Sequence, residues 1–168
     1  MIPVSPKFET RRMAINIVDN LANPTVLLPP LYLHINPASL QMSFTKKINR
    51  TQTFSAFVEE YWGEELDSLS CSGSTGGFMH EDLGLTTIER NKTAPFFKFQ
   101  DILDIYRNNG NVYDADGRVI QKGNIVIYFS PDTWLGYFES FNYVEDAASP
   151  FRFTFDFIFK VEKSYTGV

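Results

Sequence analysis

Two pairs of neighbouring glutamates are the residues best placed for acid–base chemistry. Glu59–Glu60 and Glu64–Glu65 lie on one short stretch of the sequence. Paired carboxylates hydrolyse glycosides, one side chain donating a proton while the other attacks the sugar or activates water. No sugar-binding pattern surrounds these four, which favours a solvated rim or partners for lysines on a neighbouring subunit. A small cell-wall hydrolase that uses one of these glutamates is kept as an alternative hypothesis.

The thiol and imidazole side chains are few and dispersed. Cys71 is the single cysteine. It would need a neighbouring base to act as a nucleophile, so we interpret it as a half-buried structural thiol. His34 falls inside a predicted strand and His80 in a predicted loop. Because a metal site needs three or four converging ligands, the sequence predicts no metal and no cofactor.

Two short motifs resemble ligand-binding loops but lack a required residue. Ser72–Gly77 is glycine-rich, yet it contains no lysine of the kind that a phosphate-binding loop needs. Asp114–Gly117 looks like the start of a calcium loop, but Gln121–Ile125 offers no carboxylate to close it. We interpret the first motif as a connection and the second as a hairpin turn. With no catalytic set, we predict that the chain is not an enzyme.

Composition limits the remaining function classes. The chain has 168 residues, of which 43% are hydrophobic, which suits one domain with a real core. Its net charge of -5 gives no electrostatic footprint for binding nucleic-acid phosphates, although DNA could pass along such a surface. Sixteen phenylalanines indicate an aromatic core or buried subunit interfaces. No signal-peptide pattern and no bilayer-length apolar stretch occur, so we expect the chain to be made in the cytoplasm and not to bind membranes.

The apolar residues repeat mostly with the period of a β-strand. Thr51–Trp62 fits both a strand and a helix, and the threonines favour a strand. The sequence predicts strands at Met13–Val18, Leu31–Ile35, Leu40–Lys46, Thr51–Trp62, Leu69–Ser74, Val112–Tyr113, Arg118–Ile120, Asn124–Phe129, Trp134–Val144 and Phe151–Val161.

Two segments define the predicted core. The last strand alternates almost perfectly, so one face is expected to turn inward with Phe153, Phe155, Phe157 and Phe159. The one clear helix is predicted over Phe97–Asn109, with Gly110 as its cap. Its apolar stripe has helical spacing and comprises Phe99, Ile102, Leu103 and Tyr106. We therefore expect a mainly β, α+β chain, with residues 1–30 as an N-terminal arm and first strand, and residues 31–168 as a single β domain.

An ordered set of short motifs resembles the small tail proteins of long-tailed bacteriophages, from the baseplate hub and tail-tube region. The motifs span roughly residues 31 to 163. In chain order they are Ile35–Leu40, Thr51–Thr53, Tyr61–Leu66, Leu69–Gly73, Tyr106–Gly110, Trp134–Phe138 and Ser149–Phe153.

The resemblance implies a tail-tube-like fold of two packed antiparallel sheets, a sandwich or barrel, with one flanking helix. It implies a structural virion protein that forms a ring with itself, a hexamer as the first expectation, beside other tube and baseplate proteins and around passing DNA. We expect the subunit contacts at the proline-containing arm, Met1–Arg11, and at the predicted loop of the third motif, Tyr61–Leu66. The expected contact residues are Pro3, Pro6, Phe8, Tyr61, Trp62, Glu64 and Glu65. A free β-sandwich module that binds carbohydrate or protein through Trp62 or Trp134 is the other alternative.

Overall fold

The computed structural model describes residues 12–19, 29–77, 92–148 and 152–166. Within them the chain forms eleven strands and one helix, which confirms the mainly β, α+β class. In chain order the elements are β1 Ala14–Val18, β2 Leu31–Tyr32, β3 Ser39–Ser43, β4 Lys46–Gln52, β5 Phe57–Glu64, β6 Asp67–Ser74, α1 Ala94–Asn108, β7 Asn111–Tyr113, β8 Val119–Lys122, β9 Asn124–Phe129, β10 Asp132–Glu145 and β11 Phe153–Thr166.

Seven of these strands form one antiparallel sheet in the order β2-β1-β9-β10-β11-β6-β3. The strands that the resemblance divides between two packed layers are joined here, because β10 pairs with β9 at its start and with β11 along its whole length. Two separate hairpins, β4–β5 and β7–β8, complete the described strands. The strand β1 pairs with β9 and is therefore part of the same sheet as the strands of residues 31–168.

The aromatic face of β11 fills the centre of the core. Phe153, Phe155, Phe157 and Phe159 are all buried, whereas Thr154, Asp156 and Glu162 between or beyond them are exposed. The Phe155 and Phe157 rings stack on Phe141 of β10, with centroids 5.9 and 6.3 Å apart. The sequence alternation thus becomes a layer of rings on one side of the sheet.

Two bulges interrupt the pairing of β10 with β11. In the cross-strand register no residue of β11 lies opposite Glu139 and no residue of β10 lies opposite Glu162, so the two shifts cancel. Because of the first bulge, the inward positions change from Phe138 to Phe141, three residues apart rather than two. Between the bulges the strands approach so closely that a Cβ at Gly136 would lie 1.8 Å from the carbonyl oxygen of Lys160.

The helix α1 packs its apolar stripe onto this layer of rings. Phe99, Ile102 and Leu103 are buried and Tyr106 is partly buried. The helix begins three residues before the predicted start, with Pro95 in its first turn, and Phe97 points to solvent. Asn109, rather than Gly110, is its C-terminal cap, in the left-handed conformation (φ 45°, ψ 45°). Its N–H donates to the carbonyl of Tyr106, 3.2 Å away.

Three predicted strands differ from the structure. The strand predicted over Leu31–Ile35 ends at Tyr32, so His34 lies beyond it and is exposed. The strand predicted over Leu40–Lys46 is divided between β3 and β4. Thr51–Trp62 is neither one strand nor a helix, since a turn at residues 53–56 folds it back as part of a hairpin. The predicted arm at residues 1–11 and His80 lie outside the described residues.

Candidate functional site

The β4–β5 hairpin is the most unusual surface of the described chain, because every residue of both strands is exposed. Its tip is closed by Thr53. The Thr53 N–H donates to the carbonyl of Ala56 at 2.7 Å, and the Ala56 N–H donates to Thr53 Oγ1 at 3.2 Å. Its base is closed by the Glu65 N–H, which donates to the carbonyl of Thr45 at 2.9 Å. These hydrogen bonds hold Phe54 at the tip, where its side chain is fully exposed.

The hairpin carries large apolar side chains on both faces. Side chains directly opposite in an antiparallel pair share a face. One face therefore holds Ile48 with Tyr61 and the Gln52–Phe57 pair, and the other holds Val58 and Trp62. Two strands alone are marginally stable in water, and exposed apolar patches of this kind mark interaction sites. Because both faces are apolar, each face of the hairpin is a candidate for burial against another surface.

Hydrogen bonds within the hairpin organise its charged side chains. Arg50 Nε lies 3.0 Å from Glu59 Oε1, and the Tyr61 hydroxyl donates to Glu59 Oε2 at 3.2 Å. On the opposite face, Trp62 Nε1 donates to Glu60 Oε2 at 3.3 Å. Since successive residues of a strand point to opposite faces, Glu59 and Glu60 cannot act on one substrate. The paired-carboxylate arrangement that a hydrolase needs is not formed by these two residues.

The other residues considered for chemistry are not brought together. Cys71 is buried, and burial raises the pKa of its thiol to about 12, which leaves it protonated at neutral pH. Trp134 is only 7% exposed, so it cannot form the binding surface that the module hypothesis assigned to it. Among the described residues, no three His, Cys, Asp or Glu side chains are grouped to hold a metal ion. In the same residues, no helix has the length and apolar content that crossing a membrane requires.

The sequence indicated part of this surface. Tyr61, Trp62 and Glu64 lie on β5, and Glu65 closes the hairpin base. Pro3, Pro6 and Phe8 lie outside the described residues. The predicted contact residues do not include Phe54, Ile48 or Phe57, because one continuous strand over Thr51–Trp62 has no tip and no second strand beside it. The signal that could have found them is Thr53, a turn-forming residue between two alternating runs.

A scan against protein-family models finds no match, and no curated protein matches the sequence. Among solved structures, a chain in the sheath/tube terminator of an extracellular contractile injection system in the extended state is 12% identical; 100% of this chain and 99% of that chain are covered, with a TM-score of 0.39. A chain in the tube-terminating cap of the anti-feeding prophage is 12% identical over 99% and 96% of the two chains, at a TM-score of 0.36. A chain in the tail of an empty gene transfer agent particle is 12% identical over 92% and 96%, at 0.37. TM-scores this low do not establish a shared fold.

Proposed function

We propose that the chain is a non-enzymatic structural subunit of a bacteriophage tail, forming a closed ring with copies of itself in the tail tube or at its baseplate end. The observation that carries the proposal is the β4–β5 hairpin, whose aromatic side chains are exposed on both faces. A monomer gains nothing from holding such a hairpin in water, whereas a subunit can bury it against its neighbours.

The outermost strands of the sheet support self-assembly. Among the described strands β2 and β3 lie at the two ends of the order, and β3 leads directly into the hairpin. Strand edges are a liability in a free protein, and ring closure between identical subunits covers them. Six subunits per ring is the expectation that follows from the resemblance of the ordered motifs to tail-tube proteins.

The place in the tail rests on that resemblance and on charge. The motifs from Ile35–Leu40 to Trp134–Phe138 fall, in chain order, on or beside β3, the β4–β5 hairpin, β6, α1 and β10. This succession of strands with one helix supports the β fold with a flanking helix that the resemblance implies. A chain with a net charge of -5 repels phosphate, which suits a wall along which genomic DNA passes. Its partners are then other tube and baseplate proteins, and its location is the virion.

The test is electron microscopy of the purified full chain beside size-exclusion chromatography with light scattering. We expect rings for the natural sequence. A variant with Phe57, Tyr61 and Trp62 all changed to Ala should be a folded monomer, because the apolar contact is removed. The matched control changes Tyr113, Val119 and Ile120, exposed on the other hairpin, to Ala and should still form rings. A natural chain that stays monomeric at all concentrations would contradict the proposal.

A free binding module is the second candidate, and Trp62 favours it. The indole is 65% exposed and its Nε1 donates to Glu60, an arrangement that can stack on a sugar ring. It predicts a monomer whose Trp62 fluorescence changes on addition of oligosaccharide. Quenching in a monomeric natural chain, lost in Trp62→Ala, would favour this candidate over the ring.

The N-terminal arm is proposed as a second subunit contact. Residues 1–11 include Pro3, Pro6 and Phe8 and are too polar to fold alone, so they should order on a neighbour. Deletion of residues 1–11 should weaken ring formation while leaving the far-ultraviolet circular dichroism of the chain unchanged. Rings of undiminished stability after the deletion would remove the arm from the interface.

A further inference from the structure

The tip of the β4–β5 hairpin has the form of a knob. Phe54 is fully exposed on a turn that three hydrogen bonds between Thr53 and Ala56 keep in one conformation. A rigid aromatic side chain loses little conformational entropy on binding, which is why such residues dominate interface energies. With seven residues in β4, the tip stands about 20 Å from the hairpin base at 3.3 Å per residue.

A groove of matching character lies between α1 and β2. It has a volume of about 490 Å³, enough for an aromatic ring with its neighbours. Its walls include the apolar side chains of Ile17, Leu31 and Ile105. Lys98, Asp101 and Asp104 of α1 also line it. The groove therefore combines apolar side chains with charged side chains of both signs.

Knob and groove lie at opposite ends of the sheet. The hairpin continues from β3, the last strand of the order, whereas the groove borders β2, the first. Two different surfaces at opposite ends of one subunit make a head-to-tail contact, which repeats around a ring until the ring closes. A contact within one subunit would have to span the whole sheet, so the groove of a second copy is the occupant that this topology favours.

We propose that Phe54 at the hairpin tip inserts into the α1–β2 groove of the next copy of this chain. The inference rests on the proposed ring and specifies its contact. Phe54 is then the anchor of the interface.

Cross-linking tests the contact directly. The full chain carrying Ser55→Cys, which is exposed beside an intact Phe54, and Asp101→Cys is treated with a short thiol-specific cross-linker and run on a denaturing gel. We expect a ladder that ends at the ring size, since buried Cys71 does not react. The control pairs Ser55→Cys with Asp116→Cys, exposed on the β7–β8 turn, and should give no ladder.

Affinity provides the second arm. Phe54→Ala should raise the concentration at half-assembly by about tenfold or more, and Ile120→Ala should leave it within about twofold. Rings that form normally in the natural chain and in Phe54→Ala, with no ladder, would overturn this contact and leave the ring proposal standing. Absence of rings in the natural chain would overturn both.

Discussion

Phe155 is one of three nearly parallel rings that all lie within 6.4 Å of one another between centroids. Its neighbours Phe141 and Phe157 are 5.9 and 6.4 Å away between centroids, and the planes are nearly parallel. Phe155→Ala should lower the free energy of unfolding by about 3–5 kcal/mol, because the ring leaves a cavity that this layer cannot close. Urea unfolding measures the loss. The control Phe97→Ala, on the solvent side of α1, should change the free energy by less than about 0.5 kcal/mol.

The Cys71 thiol gives the chain a dependence on alkaline pH. Burial raises its pKa from 9.0 to about 12. Below pH 9 the thiol is protonated in both states and its contribution to stability is complete. Between pH 9 and 12 the unfolded chain ionises and the folded chain does not, so stability falls by about 1.4 kcal/mol per pH unit.

Cys71→Ala isolates this effect. Unfolding free energies of both proteins are measured at several values from pH 8 to pH 11, and the natural chain should lose stability more steeply than the variant. Tyr128, whose pKa burial also raises, contributes equally to both curves and cancels in the difference. Parallel curves would show that the thiol ionises freely in the folded state.

At the scale of the secondary-structure elements, the two bulges in the β10–β11 pair determine which residues can be deleted without a change of register. Deletion of Glu139 or of Glu162 removes a residue that has none opposite it in the cross-strand register, so every other cross-strand pair keeps its partner. Deletion of Asp156, equally exposed, shifts the register by one and turns the phenylalanines on one side of it outward. We therefore expect either glutamate deletion to give a folded chain and the Asp156 deletion to give none.

Near-ultraviolet circular dichroism, sensitive to the packed rings, is the measurement for these three deletions. If the Glu139 deletion loses the aromatic signal as completely as the Asp156 deletion does, the bulge itself is needed for folding. The cross-strand pairing of β10 with β11 would then not be sufficient to place their side chains in the core.

Sequence reasoning reached the elements that bury one face against the core. The alternation of β11 and the apolar stripe of α1 can be recognised from residue spacing. Burial of one face selects apolar residues every second position in a strand and every third or fourth position in a helix. The helix cap was placed one residue late, because Asn109 can adopt the left-handed conformation that Gly110 was expected to supply. The bulge at Glu139 was visible only as the spacing of three between Phe138 and Phe141.

The candidate site was harder to predict for a physical reason. Periodicity reports which residues a chain buries against itself, and the hairpin buries none of its strand residues. Phe54, Phe57 and Trp62 are residue types typical of a protein core, yet their side chains are exposed. The order of the seven-stranded sheet depends on pairings such as that of β1 with β9, which are distant in sequence and leave no local pattern.

At the scale of the whole molecule, stability should be unevenly distributed. The β10–β11 pair is central and buried, whereas β4–β5 is held by its own cross-strand contacts alone among the described elements. In the dissociated chain, backbone amides of the hairpin should exchange with solvent within minutes and those of β10 and β11 over many hours. In the assembled ring the hairpin amides should become protected. Hydrogen exchange by mass spectrometry measures both, and equal hairpin exchange in the two states would place the interface elsewhere.

The pairing of β10 with β11 also gives the molecule a direction of mechanical strength. Asp132 and Thr166 lie opposite each other at one end of the pair, and Glu145 and Phe153 lie opposite each other at the other. A force that separates Asp132 from Thr166 breaks the cross-strand hydrogen bonds one after another. A force that pulls Glu145 against Thr166 loads all of them at once, because the bonds lie perpendicular to the strands. The sheet is therefore stiff under tension along these strands and weak when peeled from one end.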